Sequence, residues 1–395
     1  MKRTRFKKSV GVMAVGLLFV MTCFTACNPL SSEDTTTDSW EDTLEMWKTM
    51  TPKEIEEHIA VEVSETYRID ADVLISDKLE TFEVDTIKLN RHVYEDVEAV
   101  LEKWLDYCGI ETDAEIVVDE KDDILEDGNY MQFASANFGD DSISQAQVRS
   151  VYAVMSTPFS QNYSTFCLLQ MYDRQAMGRF HYEFMKEPSE KELITESKIL
   201  DIKKNIETIF ETEYLAEYEL YTCTLDRLEQ VVEWEQEYRT QLGREVEKWD
   251  LTEADEGTVL CFRQGYEGIP FMPVGVSFDE TGASWGVESF CKVTSSKYGI
   301  EGLALFNPYN IEGETGTVEI LSFAELIERH IADSQGVDVT VVNVGLYYLP
   351  IYEGEGLEFM AKPVWYVQTE MKSDIGYLTR DGVLYDAVTG EVIQW

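Results

Sequence analysis

The chain has 395 residues, with 76 acidic against 32 basic side chains and a net charge of −44. Such a charge repels polyanions, which excludes nucleic acid and anionic lipid surfaces as direct partners. With 44% hydrophobic and 12% aromatic residues the composition is too apolar for disorder, so the charge sits on a folded body long enough for two domains.

At the N-terminus, Lys2, Arg3, Arg5, Lys7 and Lys8 precede an uncharged, mostly apolar run from Ser9 to Ala26. A basic patch, a short apolar stretch and small residues before a cleavage point make a secretory signal. The run is too short for a bilayer span, which needs about 20 apolar residues. Phe24-Thr25-Ala26-Cys27 resembles the lipobox of bacterial lipoproteins, although Leu is commoner where Phe24 stands and Cys23 offers a second register. The resemblance implies removal of residues 1–26, acylation of Cys27, and a body lipid-anchored on the outer, extracytoplasmic face of the cell membrane. A plain secreted form without lipid is the alternative. Cleavage would remove five basic residues and no acidic one, leaving a charge of about −49. From Asn28 to Thr43 the chain is polar and rich in Ser, Thr and Asp. That stretch offers little apolar surface to bury, so residues 27–50 are expected to be a flexible tether.

Thr51-Pro52-Lys53-Glu54 is a capping box with proline at the first helical position, predicting a short helix to about Ala60. From Arg91, the residues Val93, Val97, Val100, Leu101, Trp104 and Leu105 follow helical spacing up to a stop at Gly109. Leu228, Val231, Val232, Tyr238 and Leu242 repeat the pattern from Thr224 to Gly243. Ser322-x-x-Glu325 is a second capping box, with Leu321 and Leu326 placed as a hydrophobic staple and Phe323, Leu326, Ile327 and Ile331 as the apolar face.

Strands are predicted at 150–157, 164–171, 177–184, 258–263, 271–278, 283–294, 303–306, 337–349 and 357–370, with a last pair at 377–384 and 391–395. Gly390 would take the positive φ of the turn between that pair. A capped helix, a glycine stop and then strands recur after Gly109, Gly243 and Gly336. Strands in runs with helices inserted singly predict an α+β fold with antiparallel sheets, each packed by one or a few helices. Two subdomains, 51–190 and 191–395, follow from the polar, proline-containing stretch near 186–196.

The segment 316–395 resembles PepSY-type and YycI-like extracytoplasmic domains. The residues that carry this are Leu321-Ser322-Phe323-x-Glu325-Leu326, Lys362-Pro363-Val364-Trp365 and Asp386-Ala387-x-Thr389-Gly390-Glu391-Val392. The arrangement also resembles a family of uncharacterised Gram-positive cell-surface lipoproteins. The resemblance covers about one fifth of the chain and implies a non-catalytic binding or regulatory domain. It carries over no catalytic residue.

Motifs for chemistry are weak. Gly282-Ala283-Ser284-Trp285-Gly286 matches G-x-S-x-G, but a hydrolase elbow needs a strand before the serine and a helix after it. Here a turn precedes and an alternating segment follows. His330, the only downstream histidine, lies on or beside an apolar helix face and reads as a buried core residue. His58, His92 and His181 are scattered without metal-site spacing, so no metal is expected. Asp119, Asp122, Asp123, Glu126 and Asp127 cluster before Gly128, but Leu125 and Ala134 fall at calcium-ligand positions of an EF-hand loop. The cluster reads as a solvated face or hinge.

No phosphate-binding glycine loop occurs, so no cofactor is expected. Five cysteines follow Cys27, namely Cys108, Cys167, Cys223, Cys261 and Cys291. They lack C-x-x-C spacing and read as buried thiols, with a Cys261–Cys291 disulfide only if their strands pair. Trp104 and Trp365 lie in core patterns and read as packing rather than sugar platforms.

The function expected is a membrane-tethered, non-enzymatic binding or regulatory ectodomain. It would present itself to a protein or cell-wall partner, with Cys27 as the one assigned site. The alternatives are a cell-envelope glycan hydrolase using paired carboxylates, and a solute-binding lipoprotein.

Overall fold

The computed structural model describes residues 39–110, 116–124, 130–137, 145–149, 152–156, 185, 188–241, 243, 251–272, 289–297, 299–352, 358–372 and 378–393. In chain order the elements begin with α1 (Trp40–Trp47), β1 (His58–Glu62), β2 (Tyr67–Leu74), β3 (Glu83–Arg91) and α2 (Val97–Tyr107). Then come β4 (Val117–Ile124), β5 (Tyr130–Asn137), β6 (Gln145–Arg149), β7 (Tyr152–Ser156), α3 (Glu196–Ile209), β8 (Tyr218–Cys223) and α4 (Leu225–Gln241). After β9 (Gly257–Arg263), β10 (Gly265–Tyr266) and β11 (Ile269–Pro270) follow β12 (Phe290–Ser296), β13 (Gly299–Phe306) and β14 (Tyr309–Glu319). The chain closes with α5 (Phe323–Asp333), β15 (Val339–Tyr352), β16 (Glu358–Lys372), β17 (Leu378–Asp386) and β18 (Val392–Ile393).

Two eight-stranded sheets organise the molecule. The first has order β1-β2-β15-β16-β17-β18, with β3 pairing both β16 and β14; the second has order β4-β5-β6-β7-β13-β12-β9-β8. The α+β expectation holds in a strand-dominated form, with one departure from antiparallel pairing: β2 and β15 run parallel. Strand alternation is clear in β2, where Tyr67, Ile69, Ala71 and Val73 are buried while Arg68, Asp70 and Asp72 are exposed.

The sheets do not follow the expected division of the chain. A boundary at 186–196 falls between β7 and β8, two strands of the second sheet. The first sheet takes β1–β3 from one end of the chain and β14–β18 from the other. Long-range pairing, which local composition does not encode, decides the grouping.

Helices cover the sheet faces. Phe323, Leu326 and Ile327 of α5, with Trp47 of α1, are buried in the core of the first sheet. The second sheet has α2 and α3 on one face, through Leu101, Trp104, Ile202 and Ile206, and α4 on the other, through Leu228 and Val232. The stops at Gly109, Gly243 and Gly336 all have positive φ. Asp96 caps α2 by accepting from Ala99 N at 2.9 Å. That side-chain cap starts the helix at Val97 and leaves Val93 outside it.

Two N-terminal expectations are corrected. The Thr51–Glu54 capping box forms, but it opens only a three-residue 3-10 turn, Pro52–Glu54. His58–Glu62 pairs with Arg68–Asp72 instead of continuing a helix. The expectation of a flexible tether over 27–50 does not hold for its described part, because α1 folds over Trp40–Trp47 and Trp47 is 4% exposed; residues 27–38 lie outside the described residues.

The disulfide condition is half met. β9 and β12 pair, yet the register sets Cys291 opposite Phe262 and Cys261 opposite Lys292. An offset of one residue sends the two thiols to opposite sheet faces. Cys291 enters the core under α2 and α3 and Cys261 the one under α4, and Cys108, Cys223, Cys261 and Cys291 are not disulfide-bonded. Cys167 lies outside the described residues.

The sheets are joined at Gln264, directly after β9. Its side-chain carbonyl accepts from Ser289 Oγ and from Tyr309 N, both at 2.8 Å, and its amide donates to Tyr309 O at 3.1 Å. Past it, the β10–β11 hairpin leads to Phe271, which bridges to Tyr348 of β15.

Candidate functional site

One strand edge open to a partner among the described residues is that of the first sheet at β14. Among the described residues β14 pairs with β3 alone, so its other side carries ladder groups without a strand partner. Eight of its eleven residues are exposed, including Ile311 at 42%. Register shifts at Ile311/Gly313 and Glu314/Gly316 break the ladder into short stretches. Bulges and carboxylates on an edge oppose indiscriminate strand addition, so this edge can stay exposed without self-association.

Its side chains are held by the neighbouring strands. Lys88 of β3 lies 3.3 Å from Glu312 and 3.0 Å from Glu358, and hydrogen bonds to Glu358 and then Glu312 raise its pKa. Asn90 also donates to Glu312. Thr317 Oγ1 donates to Asp85 at 3.0 Å, and Thr86 meets Thr315 at 2.9 Å. Tyr266, on the β10–β11 hairpin, donates to Glu314, which pushes the phenol up to about 12. The result is an acidic, polar ribbon with one exposed apolar side chain. The sequence signal for it was faint, since glycines and glutamates interrupt the Thr/Val pattern.

His330 is buried, as expected from its helix face. It is 1% exposed, its Nδ1 lies 2.5 Å from Tyr67 Oη, and its ring packs on Tyr385. Tyr385 donates in turn to Asp333 at 3.2 Å. Burial lowers the imidazole to about 4, against a smaller opposing pull from Asp333. In the unfolded chain it would take a proton near pH 6.5, so its contribution is complete above that pH and is lost as pH falls toward 4. The loss should approach ~3 kcal/mol. Urea unfolding at pH 7 and pH 4 should show the parent losing that much more than His330→Phe. Parallel profiles for the two proteins would assign the acid sensitivity to other groups.

The remaining sequence candidates do not converge. Ser284 and the rest of Gly282–Gly286 lie outside the described residues, as do Cys27 and His181. His58 is exposed between Asp70 and Asp72, at 3.2 and 3.1 Å. His92 meets Asn310 at 3.0 Å. Asp119, Asp122 and Asp123 fall on β4, whereas Glu126, Asp127 and Gly128 lie outside the described residues. Trp104 and Trp365 are fully buried, as core packing requires.

Solvent-open depressions lie among the described residues. One, of about 410 Å³, lies by Tyr107, Cys108, Lys198 and Lys297; another, of about 480 Å³, lies by Lys204, Glu207, Glu211 and Glu213. Burial raises the Cys108 thiol to about 12 despite Lys198, so it is no nucleophile at neutral pH. Among the described residues no three His, Cys, Asp or Glu side chains form a group fit to hold a metal ion.

The three C-terminal motifs meet in space. Leu321 N donates to Ala387 O at 2.7 Å, Ala387 N to Pro363 O at 3.1 Å, and Trp365 Nε1 to Leu321 O at 3.1 Å. Asp386 Oδ1 caps the final turn by accepting from Val388 N and Thr389 N, both at 2.9 Å. Gly390 has φ +70° there, and a Cβ on it would stand 2.9 Å from Leu321 Cδ1. These residues therefore close the end of the fold onto the start of α5. None of them forms a reactive group.

No family model matches the sequence, and no curated protein matches it. Among solved structures, an uncharacterized protein from Eubacterium rectale aligns with 90% of this chain and 99% of its own at TM-score 0.66 and 14% identity, a likeness of fold. The Bacillus megaterium YpeB C-terminal domain aligns with 77% of this chain and 100% of its own, at TM-score 0.29 and 10% identity.

Proposed function

We propose that the protein is an extracytoplasmic lipoprotein, anchored through Cys27, whose body binds a protein or cell-wall partner and performs no chemistry of its own. The β14 edge is the observation that carries this reading. Strand edges add extended partners through main-chain hydrogen bonds, with neighbouring side chains setting specificity. The acidic ribbon favours a basic extended segment. The interlocking of Leu321, Trp365 and Ala387 supports grouping residues 316–395 with PepSY-like and YycI-like domains, whose shared motifs would then be structural.

A photo-crosslinking residue at Ile311 tests it in intact cells, with one at exposed Leu200 as control. A discrete crosslinked species at 311 and not at 200, without turnover of a peptidoglycan or glycan panel, is expected. Glycan turnover with no crosslink at 311 would overturn the proposal. Cys27→Ala should release the protein from the membrane fraction; retention would refute that anchor.

A further inference from the structure

The carboxylates along the β14 edge are not equivalent. Lys88 lies 3.3 Å from Glu312 and Asn90 donates to it, so that charge is already answered. Glu314 is exposed and accepts from the Tyr266 phenol, while Asp85 of β3 accepts from Thr317 Oγ1 at 3.0 Å. Among the described residues no Lys or Arg pairs with Glu314 or Asp85. The hydrogen bond to Glu314 leads in raising the Tyr266 phenol, and the charges of Asp85 and Glu267 add to it, so three carboxylates converge on one ring. The hairpin that carries this ring is held in place: Ser76 Oγ donates to Glu267 O at 2.8 Å, and Lys78 lies 3.3 Å from the Glu267 carboxylate. Register sets Glu314 opposite Ile87 and Ile311 opposite Leu89, two buried positions, so residues 311 and 314 share a face of the edge.

We propose that Glu314, Asp85 and Tyr266 form a seat for one basic side chain, an arginine by preference, carried by the extended segment of a partner protein that adds to β14. This rests on the β14 edge as the binding surface. A strand added there lays alternate side chains over the face that holds Ile311 and Glu314. A basic group beside Glu314 meets two carboxylates that have no cation and the ring of Tyr266. A guanidinium can pair with a carboxylate through its fork while lying flat on an aromatic ring, a combination the lysine ammonium does not offer. An acidic side chain in the same place would face three like charges. Beside Ile311, 42% exposed, an apolar neighbour is favoured. On the face of Lys88 and Asn90 the charge of Glu312 is taken, so no second basic residue is called for. The edge therefore reads a single basic residue in one register, and not a run of positive charge.

Photo-crosslinking from position 311 in intact cells reads both the surface and the seat. The partner peptide joined there, sequenced by mass spectrometry, should carry an Arg or Lys within about three residues of the junction. Glu314→Gln keeps an acceptor for Tyr266 and should cut the crosslink yield about three- to five-fold, with Glu314→Arg cutting it further. Glu312→Gln should cut it less than about two-fold. Glu98→Gln removes the same charge from an exposed position on α2, which packs on the second sheet, and should leave the yield unchanged. All yields are taken per folded protein, measured by urea unfolding. Equal losses from Glu312→Gln and Glu314→Gln, or a joined peptide with no basic residue near the junction, would overturn the seat and leave the edge standing. No crosslink at 311 in the otherwise unsubstituted chain would defeat the edge itself, and the seat with it.

Discussion

Gln264→Leu should lower the stability of the fold by about 4 kcal/mol, although leucine nearly matches the volume removed. Gln264 is 4% exposed, and its side chain makes three hydrogen bonds, to Ser289 Oγ, Tyr309 N and Tyr309 O. Leucine would leave Tyr309 N–H, Tyr309 C=O and the Ser289 hydroxyl facing an apolar surface. Each buried group left without a partner costs roughly 1–3 kcal/mol, whereas an intact bond adds about 1. The penalty of orphaned groups therefore outweighs any gain from apolar burial. Since Gln264 links β9 of one sheet to β14 of the other, the variant should also broaden or split the urea transition as the sheets uncouple. Adding Ser289→Ala removes one orphaned group and should restore part of the loss. A variant within about 0.5 kcal/mol of the parent would show that the joint is held elsewhere.

Which elements could be foreseen follows from the range of the interactions that make them. The helices ending at Gly109, Gly243 and Gly336 were legible because cap, apolar spacing and stop all lie within one short window. The Ser322 capping box formed for the same reason, with Ser322 Oγ, Ser322 N and Glu325 exchanging bonds of 2.8–3.3 Å. The Thr51 box formed as well, yet its helix did not, because pairing of His58–Glu62 with β2 overrode local propensity. α1 was hidden by its acidic neighbours, and its docking partner Phe323 lies far along the chain. α3 did carry a readable signal: a Thr195 cap followed by Ile199, Ile202, Ile206 and Ile209 on one face. Sheet membership was not readable, since the parallel pairing of β2 with β15 joins segments far apart in sequence.

The site divides in the same way. His330 could be assigned to the core from the helix face it occupies. The β14 edge could not, because an edge is defined by which strands fail to arrive. The Cys261–Cys291 question turned on register, and a shift of one residue reverses its answer.

Trp365→Ala should cost about 3–5 kcal/mol, and the way it fails separates the two meanings its motif could have. Trp365 is fully buried on β16, opposite Leu346 of β15 and Tyr385 of β17. Removing the indole opens a cavity where β16 is paired on both sides, by β15 and β17. It also orphans Leu321 O, which the indole N–H meets at 3.1 Å at the entrance to α5. Trp365→Phe keeps most of the apolar volume and loses the hydrogen bond, so about 1–2 kcal/mol is expected. Chemical denaturation orders the three proteins. If the motif is structural, crosslinking at Ile311 should fall only in proportion to the folded fraction of each variant. A Trp365→Ala protein that stayed folded but lost its partner would make the indole a recognition element. The burial of Trp365 argues against that outcome, because no partner can reach a side chain that solvent does not.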